Sequence, residues 1–224
     1  MWEALLFDLD GTLADTDSIH FAVWQDILVR YDLDIDRTFY RQRISGRTNS
    51  KIIKDIIPQL TLEDAWKLAT EKEETYRRLA NSLLPTPGLE RLIDLTERAS
   101  IKRAVVTNAP EDNAIFTLKA LRLTDTFPTV IMAKDAPPGK PDPAPYQLAL
   151  NRLMVKNNRA IAFEDSVAGI RSAVDAGIYT IGVTSTHPAE DLLKAGASMT
   201  LNDFNDSQLW DLLERKIQVT SRDI

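Results

Sequence analysis

The chain opens with a single strand and then offers it no partner. Ala4-Leu5-Leu6-Phe7 is a continuous apolar run closed by Asp8-Leu9-Asp10-Gly11, the pattern of a short buried strand that ends in a sharp turn. From Asp15 to Leu84 no alternating pattern follows, and the segment reads as helices. Ile19, Val23, Trp24, Ile27 and Leu28 share one helical face. Ile52, Ile53, Ile56 and Ile57 make another, stopped by Pro58, and Thr61-Leu62-Glu63-Asp64 has the form of a helix start, the helix reaching about Leu79. Pro85-Thr86-Pro87-Gly88 then disfavours any continuing helix. Beyond it, apolar strand candidates at 101–107, 130–132, 160–163 and 179–183 alternate with helical segments near 112–121, 142–153 and 167–176, which predicts an α/β fold with a parallel sheet and helices on both faces. A lone strand cannot satisfy its backbone N–H and C=O groups, so residues 4–7 must join that later sheet. The chain therefore divides into a core made of 1–14 and 88–224 and a helical insertion at 15–87, with two crossings near 14–17 and 82–88 that give the geometry of a hinge.

Composition removes several classes of function. With 27 basic against 33 acidic residues the net charge is −6, the wrong sign for gripping nucleic acid through phosphate neutralisation. The chain has no cysteine, which excludes disulfides, a thiolate nucleophile and a cysteine metal site. Met1-Trp2-Glu3 lacks the basic start of a signal peptide, and no apolar run has the length of a membrane span. The expectation is a cytoplasmic protein, monomer or weak dimer, acting on a small molecule, with neither nucleic acid nor membrane as partner.

Four short stretches carry chemistry if the fold gathers them. Asp8 and Asp10 flank the strand end, where parallel sheets place their ligands; alone, such an Asp-x-Asp-Gly is as readily an exposed acidic turn. A carboxylate aimed at phosphorus can attack it while its neighbour moves a proton. That attack needs donors and positive charge nearby. Thr107 and Asn108 end the strand 103–106 and offer a hydroxyl and a backbone N–H, though Thr-Asn at a strand end is usually turn chemistry. Lys140 sits in the stiff stretch Gly139-Lys140-Pro141-Asp142-Pro143, whereas a lone lysine is usually solvated. Glu164-Asp165 follows the apolar run 160–163. Two more acids at a sheet edge that already holds Asp8 call for a hard cation such as Mg²⁺, or else mark a helix start, where acids are favoured anyway.

In that order, Asp8-x-Asp10-Gly11-Thr12, Thr107, Lys140 and Glu164-Asp165 resemble the four-motif signature of the haloacid dehalogenase superfamily, and the helical insertion resembles its first type of cap. The resemblance spans essentially the whole chain and implies a Rossmann-like core with an inserted all-helical cap domain. It implies Asp8 as nucleophile, Asp10 as general acid and base, and Thr107 and Lys140 as phosphate-binding residues, to which the strand-end reading adds the Asn108 N–H. It implies a Mg²⁺ site formed by Asp8, Asp10, Glu164 and Asp165, that of Asp10 through its carbonyl. An aspartate at position 10 implies phosphate-ester chemistry. His20, Gly46-Arg47-Thr48-Asn49-Ser50, Lys72 with Tyr76, and Lys140 to Tyr146 resemble the β-phosphoglucomutase-like branch, especially its broad-range sugar phosphatases. The expected activity is Mg²⁺-dependent hydrolysis of a small phosphorylated metabolite, with His20, Arg47 and Lys72 as substrate residues of the cap. The alternatives are a phosphosugar mutase, against which stands Asn49 in place of the mutases' distal-phosphate arginine, and a catalytically silent metabolite-binding protein. The residues themselves leave other readings for the cap: a packed His20, a surface Arg47, and a Lys72 solvated among Glu71, Glu73 and Glu74.

Overall fold

A computed structural model describes residues 1–80 and 82–214; the end of the expected core segment, 215–224, lies outside the described residues. The described residues form one parallel sheet of six strands, β1 (Ala4–Phe7), β2 (Lys102–Thr107), β3 (Thr129–Met132), β4 (Ala160–Glu164), β5 (Tyr179–Val183) and β6 (Met199–Leu201), in the order β3-β2-β1-β4-β5-β6. The orphan strand of the sequence is thus the centre of the sheet. Strand order reverses beside it: the chain runs outward through β2 and β3 on one side and through β4, β5 and β6 on the other. The crevice at such a reversal, outside the carboxyl ends of the strands, is where open α/β sheets bind ligands. Phe7 is level with both Val105 and Phe163, so the next residue, Asp8, stands level with Val106 and Glu164.

Alternation along the strands fills a core on each face. Leu5, Phe7, Val105, Ile161 and Phe163 pack under helices α5 (Leu89–Arg98), α6 (Glu111–Ala120) and α10 (Ser207–Glu214). Leu6, Ala104, Val106 and Ala162 face α7 (Ala144–Leu153) and α8 (Val167–Asp175). Phe7 stacks on Phe163 with ring centroids 5.0 Å apart and meets Phe127 and Phe204 edge-on. Truncating it to alanine should cost ~3–5 kcal/mol.

Between β1 and α5 lie α1 (Asp17–Val29), α2 (Arg37–Arg43), α3 (Asn49–Ile56) and α4 (Leu62–Leu79). They enclose a hydrophobic cluster of their own, with Val23, Trp24, Ile27, Leu28, Tyr40, Ile52, Ile53 and Leu68 at its centre. Thr61 caps α4 as the sequence indicates, its hydroxyl accepting from the Asp64 N–H at 3.1 Å. The two crossings lie side by side, with the Thr86 N–H donating to the Leu13 carbonyl at 2.9 Å and the Thr86 hydroxyl to that of Thr12 at 2.6 Å. Four elements fall outside the sequence expectation: α5, α9 (Ala189–Lys194), β6 and α10. None of the helices is long and apolar enough to cross a membrane, among the described residues.

Candidate active site

Gly11 turns the chain off β1 with φ +78°, a region L side chains rarely adopt, and a Cβ there would stand 2.2 Å from Asp165 Oδ2. Only glycine lets the β1 turn and the β4 turn come together. Asp8, Glu164 and Asp165, all buried, then bring one carboxylate oxygen each within 4.8 Å of one another.

Lys140, 2% exposed, reaches into this acidic group. Its ammonium donates to Asp8 Oδ1 at 2.6 Å and to Glu164 Oε1. Glu164 also accepts from the Tyr146 hydroxyl at 2.9 Å and from the Ser166 hydroxyl at 3.3 Å, so its oxygens are largely committed inside the protein. Asn108 fixes the lysine from behind: its Oδ1 accepts from the Lys140 N–H at 3.0 Å, while its amide donates to the Lys140 carbonyl and, across the cleft, to the Gly46 carbonyl at 2.9 Å. Thr107 is buried at the end of β2 and accepts from the Ala109 N–H at 3.0 Å. The usual solvated lysine is thus replaced by one held rigidly.

The electrostatics follow from burial. Burial pushes the Asp8 carboxyl up to about 7, with Glu164 and Asp10 adding to the rise and Lys140 opposing it. Burial, followed by the charges of Asp8 and Glu164, holds Asp165 well above the usual carboxylate range. Burial opposes the charge of Lys140, yet the two carboxylates raise its pKa above the ordinary lysine value. One ammonium does not balance three buried acids. The donor set, carboxylate oxygens of Asp8 and Asp165 with Glu164 beside them, fits a hard divalent cation.

Asp10 is half-buried and turns toward the insertion. Its Oδ1 accepts from the Thr16 hydroxyl at 2.8 Å and lies 3.4 Å from His20 Nε2. Burial disfavours its charge, but His20, with Thr16 and Lys72, holds the carboxyl below its ordinary value. His20 stacks on Tyr76 with centroids 4.1 Å apart, and its Nδ1 lies 2.9 Å from Lys72 Nζ. An ammonium there donates to Nδ1 and leaves the ring proton on Nε2, facing Asp10. Lys72 is not on a solvated face: it is 3% exposed and pairs with both oxygens of Glu73, at 3.0 and 3.1 Å, because α4 packs this face against α1, α3 and α6. Nor is His20 merely packed, since it bridges Asp10 and Lys72. Arg47 Nη1 pairs with Asp55 Oδ2 at 2.8 Å and donates to the Arg43 carbonyl at 2.6 Å.

Nine of the ten residues singled out in the sequence line one cavity of about 90 Å³; Glu164 stands behind it, reached through Lys140. Sequence reasoning passed over Glu73, Asn113, Thr16 and His187. Glu73 accepts from the side-chain amides of Asn49 and Asn113 as well as from Lys72. His187 is buried with its ring nitrogens 3.0 Å from the Asp165 carbonyl and 3.2 Å from that of Arg41, joining the site to α2. Thr16 alone had a local signal, a hydroxyl just before the helix start at Asp17.

A parallel sheet with a carboxylate triad and a buried lysine at its switch point, under a helical insertion, defines a phosphate-handling hydrolase of one known class. The chain matches the haloacid dehalogenase-like hydrolase family over residues 5–183 and belongs to it. It is 33% identical over 211 residues to the validoxylamine A 7'-phosphate phosphatase of Streptomyces hygroscopicus subsp. limoneus, covering 92% of this chain and 96% of that protein. It is 31% identical over 199 residues to the phosphorylated carbohydrates phosphatase of Thermotoga maritima, covering 87% and 92%. The crystal structure of β-phosphoglucomutase from Clostridium difficile superposes with a TM-score of 0.85 at 26% identity, covering 96% and 97% of the two chains.

Proposed function

We propose that this protein is a Mg²⁺-dependent phosphatase that hydrolyses small phosphorylated metabolites, sugar phosphates foremost, through an aspartyl phosphate on Asp8. The observation that carries the reading is the buried Asp8 carboxylate held by Lys140 at 2.6 Å, in the same cavity as Asp10, Thr107 and Asp165. Asp8 and Asp165, with the Asp10 carbonyl and with Glu164 beside them, would hold Mg²⁺, which when bound supplies positive charge against the phosphoryl oxygens.

In the first half, an Asp8 oxygen bonds to phosphorus and the ester P–O bond breaks; the leaving oxygen takes a proton from Asp10. In the second half Asp10, now the carboxylate, takes a proton from water, whose oxygen attacks the same phosphorus. The Asp8–phosphorus bond breaks, and inorganic phosphate and the free carboxylate result. Lys140, the Thr107 hydroxyl and the Asn108 N–H bind the phosphoryl oxygens throughout. His20, Arg47 and Lys72 act from the insertion side, the cap of residues 15–87, on binding rather than at phosphorus. The hinge of paired crossings lets this cap open for exchange and close to exclude water.

Hydrolysis is favoured over a mutase cycle because the amide of Asn49 is turned to Glu73, so no cation stands at that position to receive a far phosphate. Phosphate release from a panel of sugar and other metabolite phosphates, with Mg²⁺ or with excess chelator, tests the reading: metal-dependent release from several sugar phosphates is expected, and isomerisation of β-glucose 1-phosphate outrunning release by orders of magnitude overturns it.

A further inference from the structure

We propose that Glu73 sets the charge class of the substrate: by spending Lys72, Asn49 and Asn113 on its own carboxylate, it makes the cleft accept phosphomonoesters whose remainder carries hydroxyl or ammonium groups and reject those with a second anionic group. The inference rests on the phosphatase reading above and narrows it.

The cavity lining carries three lysine or arginine side chains, Arg47, Lys72 and Lys140, and each is already paired. Lys140 serves Asp8 and Glu164. Arg47 is held on Asp55 and on the Arg43 and Lys51 carbonyls. Lys72 has three donors, and all three are used, by His20 Nδ1 and the two oxygens of Glu73. Against them the lining holds Asp8, Asp10, Asp17, Glu73 and Asp165. The reacting phosphoryl group has its own partners at the sheet edge. A second phosphate or a carboxylate farther along the substrate finds none.

Glu73 is the residue that decides this, because it lines the cleft beside Lys72 and takes two of the three ammonium donors. Its side chain is 8% exposed and that of Lys72 4%, so solvent screens the pair little. Burial disfavours the carboxylate, yet the charge of the Lys72 ammonium, together with the Asn49 amide, holds Glu73 ionised, its pKa below the ordinary value. An entering anion meets a fixed negative charge and four hydrogen bonds that point away from it, and juxtaposing like charges in such a place is costly. A hydroxyl group meets no such penalty, and an ammonium group gains. Neutralising Glu73 without shortening it would release Lys72 as an unpaired cation at the cleft wall, which reverses the preference.

The test uses the full-length protein with saturating Mg²⁺ and four probes that share a 6-phosphate: glucosamine 6-phosphate, glucose 6-phosphate, 6-phosphogluconate and glucose 1,6-bisphosphate. For the native chain, kcat/KM for the first two should exceed that for the anionic pair by about tenfold or more. In Glu73→Gln, checked as folded by circular dichroism, that gap should shrink by about tenfold. A merely structural role would lower all four rates together and leave the ratio alone. Equal kcat/KM for neutral and anionic probes in the native chain overturns the proposal, whether or not Glu73→Gln folds, and so does an unchanged ratio in the folded variant. Calorimetric binding of the same four compounds to Asp8→Asn separates the two readings. A charge order in binding with no phosphate release by the native chain overturns the phosphatase and keeps the role of Glu73; release without a charge order does the reverse. No binding and no release, even at millimolar probe, overturns both.

Discussion

The two walls of the cleft are built by different means. On the sheet side, Asp8, Thr107 and Asp165 stand at or just past the ends of adjacent strands, and the register that sets Phe7 level with Val105 and Phe163 places them to within a residue. On the insertion side, Asn49 at the start of α3 meets the consecutive residues Lys72 and Glu73 of α4 through hydrogen bonds to Glu73. The sheet wall is rigid and generic, suited to the phosphoryl group that every substrate of such an enzyme shares. The helical wall is a set of mutually satisfied polar groups that one substitution can reset. In the function proposed above, chemistry belongs to the first and selection to the second.

If that division holds, sheet-side variants should lose turnover and insertion-side variants should shift preference. The largest effect is expected for Asp8→Asn, nearly isosteric but a poor nucleophile: kcat should fall about a thousandfold or more, with circular dichroism unchanged. Phosphate release within tenfold of the native rate in a metal-replete preparation would remove Asp8 from its role. Next comes Lys140→Met, which keeps the buried stem but leaves Asp8 and Glu164 facing each other without their ammonium. Turnover should fall by about 10²–10³, as when one transition-state donor is lost. Removing one partner of a buried pair should also cost ~3–5 kcal/mol of stability in chemical denaturation. A variant as stable as the native chain would mean that solvent already screens the pair.

The metal site sharpens the comparison within the sheet wall itself. Bound Mg²⁺ should stabilise the fold by about 2.7 kcal/mol when present at a hundred times its dissociation constant. Asp165→Asn should abolish most of that increment. Glu164→Gln should keep more of it, because the Glu164 oxygens already accept from Lys140, Tyr146 and Ser166. Melting with and without Mg²⁺ reads this independently of turnover; equal increments in both variants would show that the metal is held elsewhere.

The same contrast explains what the sequence made legible. A strand end followed by a turn residue leaves a local trace, so Asp8, Thr107 and Asp165 could be placed from Ala4–Phe7, the run 103–106 and the run 160–163 alone. Stiff flanks marked Lys140. The pairing of Lys72 with Glu73 left no such trace, because neighbouring residues on a helix do not face one another and a run of charges reads as solvated surface. The two converge only because tertiary packing buries that face and their flexible stems bend toward each other. The stack of His20 on Tyr76 and the bridge made by His187 likewise depend on contacts far apart in the chain. Among the fold elements, β6 is only Met199-Thr200-Leu201 and α9 only six residues, too short for periodicity to register. The α5 pattern, Leu89, Leu92, Ile93 and Thr96 on one face, was there to be read behind the proline-rich linker.

The smallest effect is expected at Arg47, where the insertion wall meets solvent. Its pair with Asp55 is exposed, at 27% and 38% for the two side chains, and such pairs contribute little. The guanidinium is also tied to the Arg43 carbonyl, so a substrate gains from it only by displacing contacts it already has. Arg47→Ala should therefore raise KM for monophosphates by no more than about threefold and leave kcat within error, since a group that acts on binding alone affects ground and transition states alike. Asp55→Asn frees the guanidinium, and it should lower KM for anionic substrates more than for neutral ones. A tenfold fall in kcat for Arg47→Ala would place this arginine at the reacting phosphoryl group, and the separation of the two walls would not survive it.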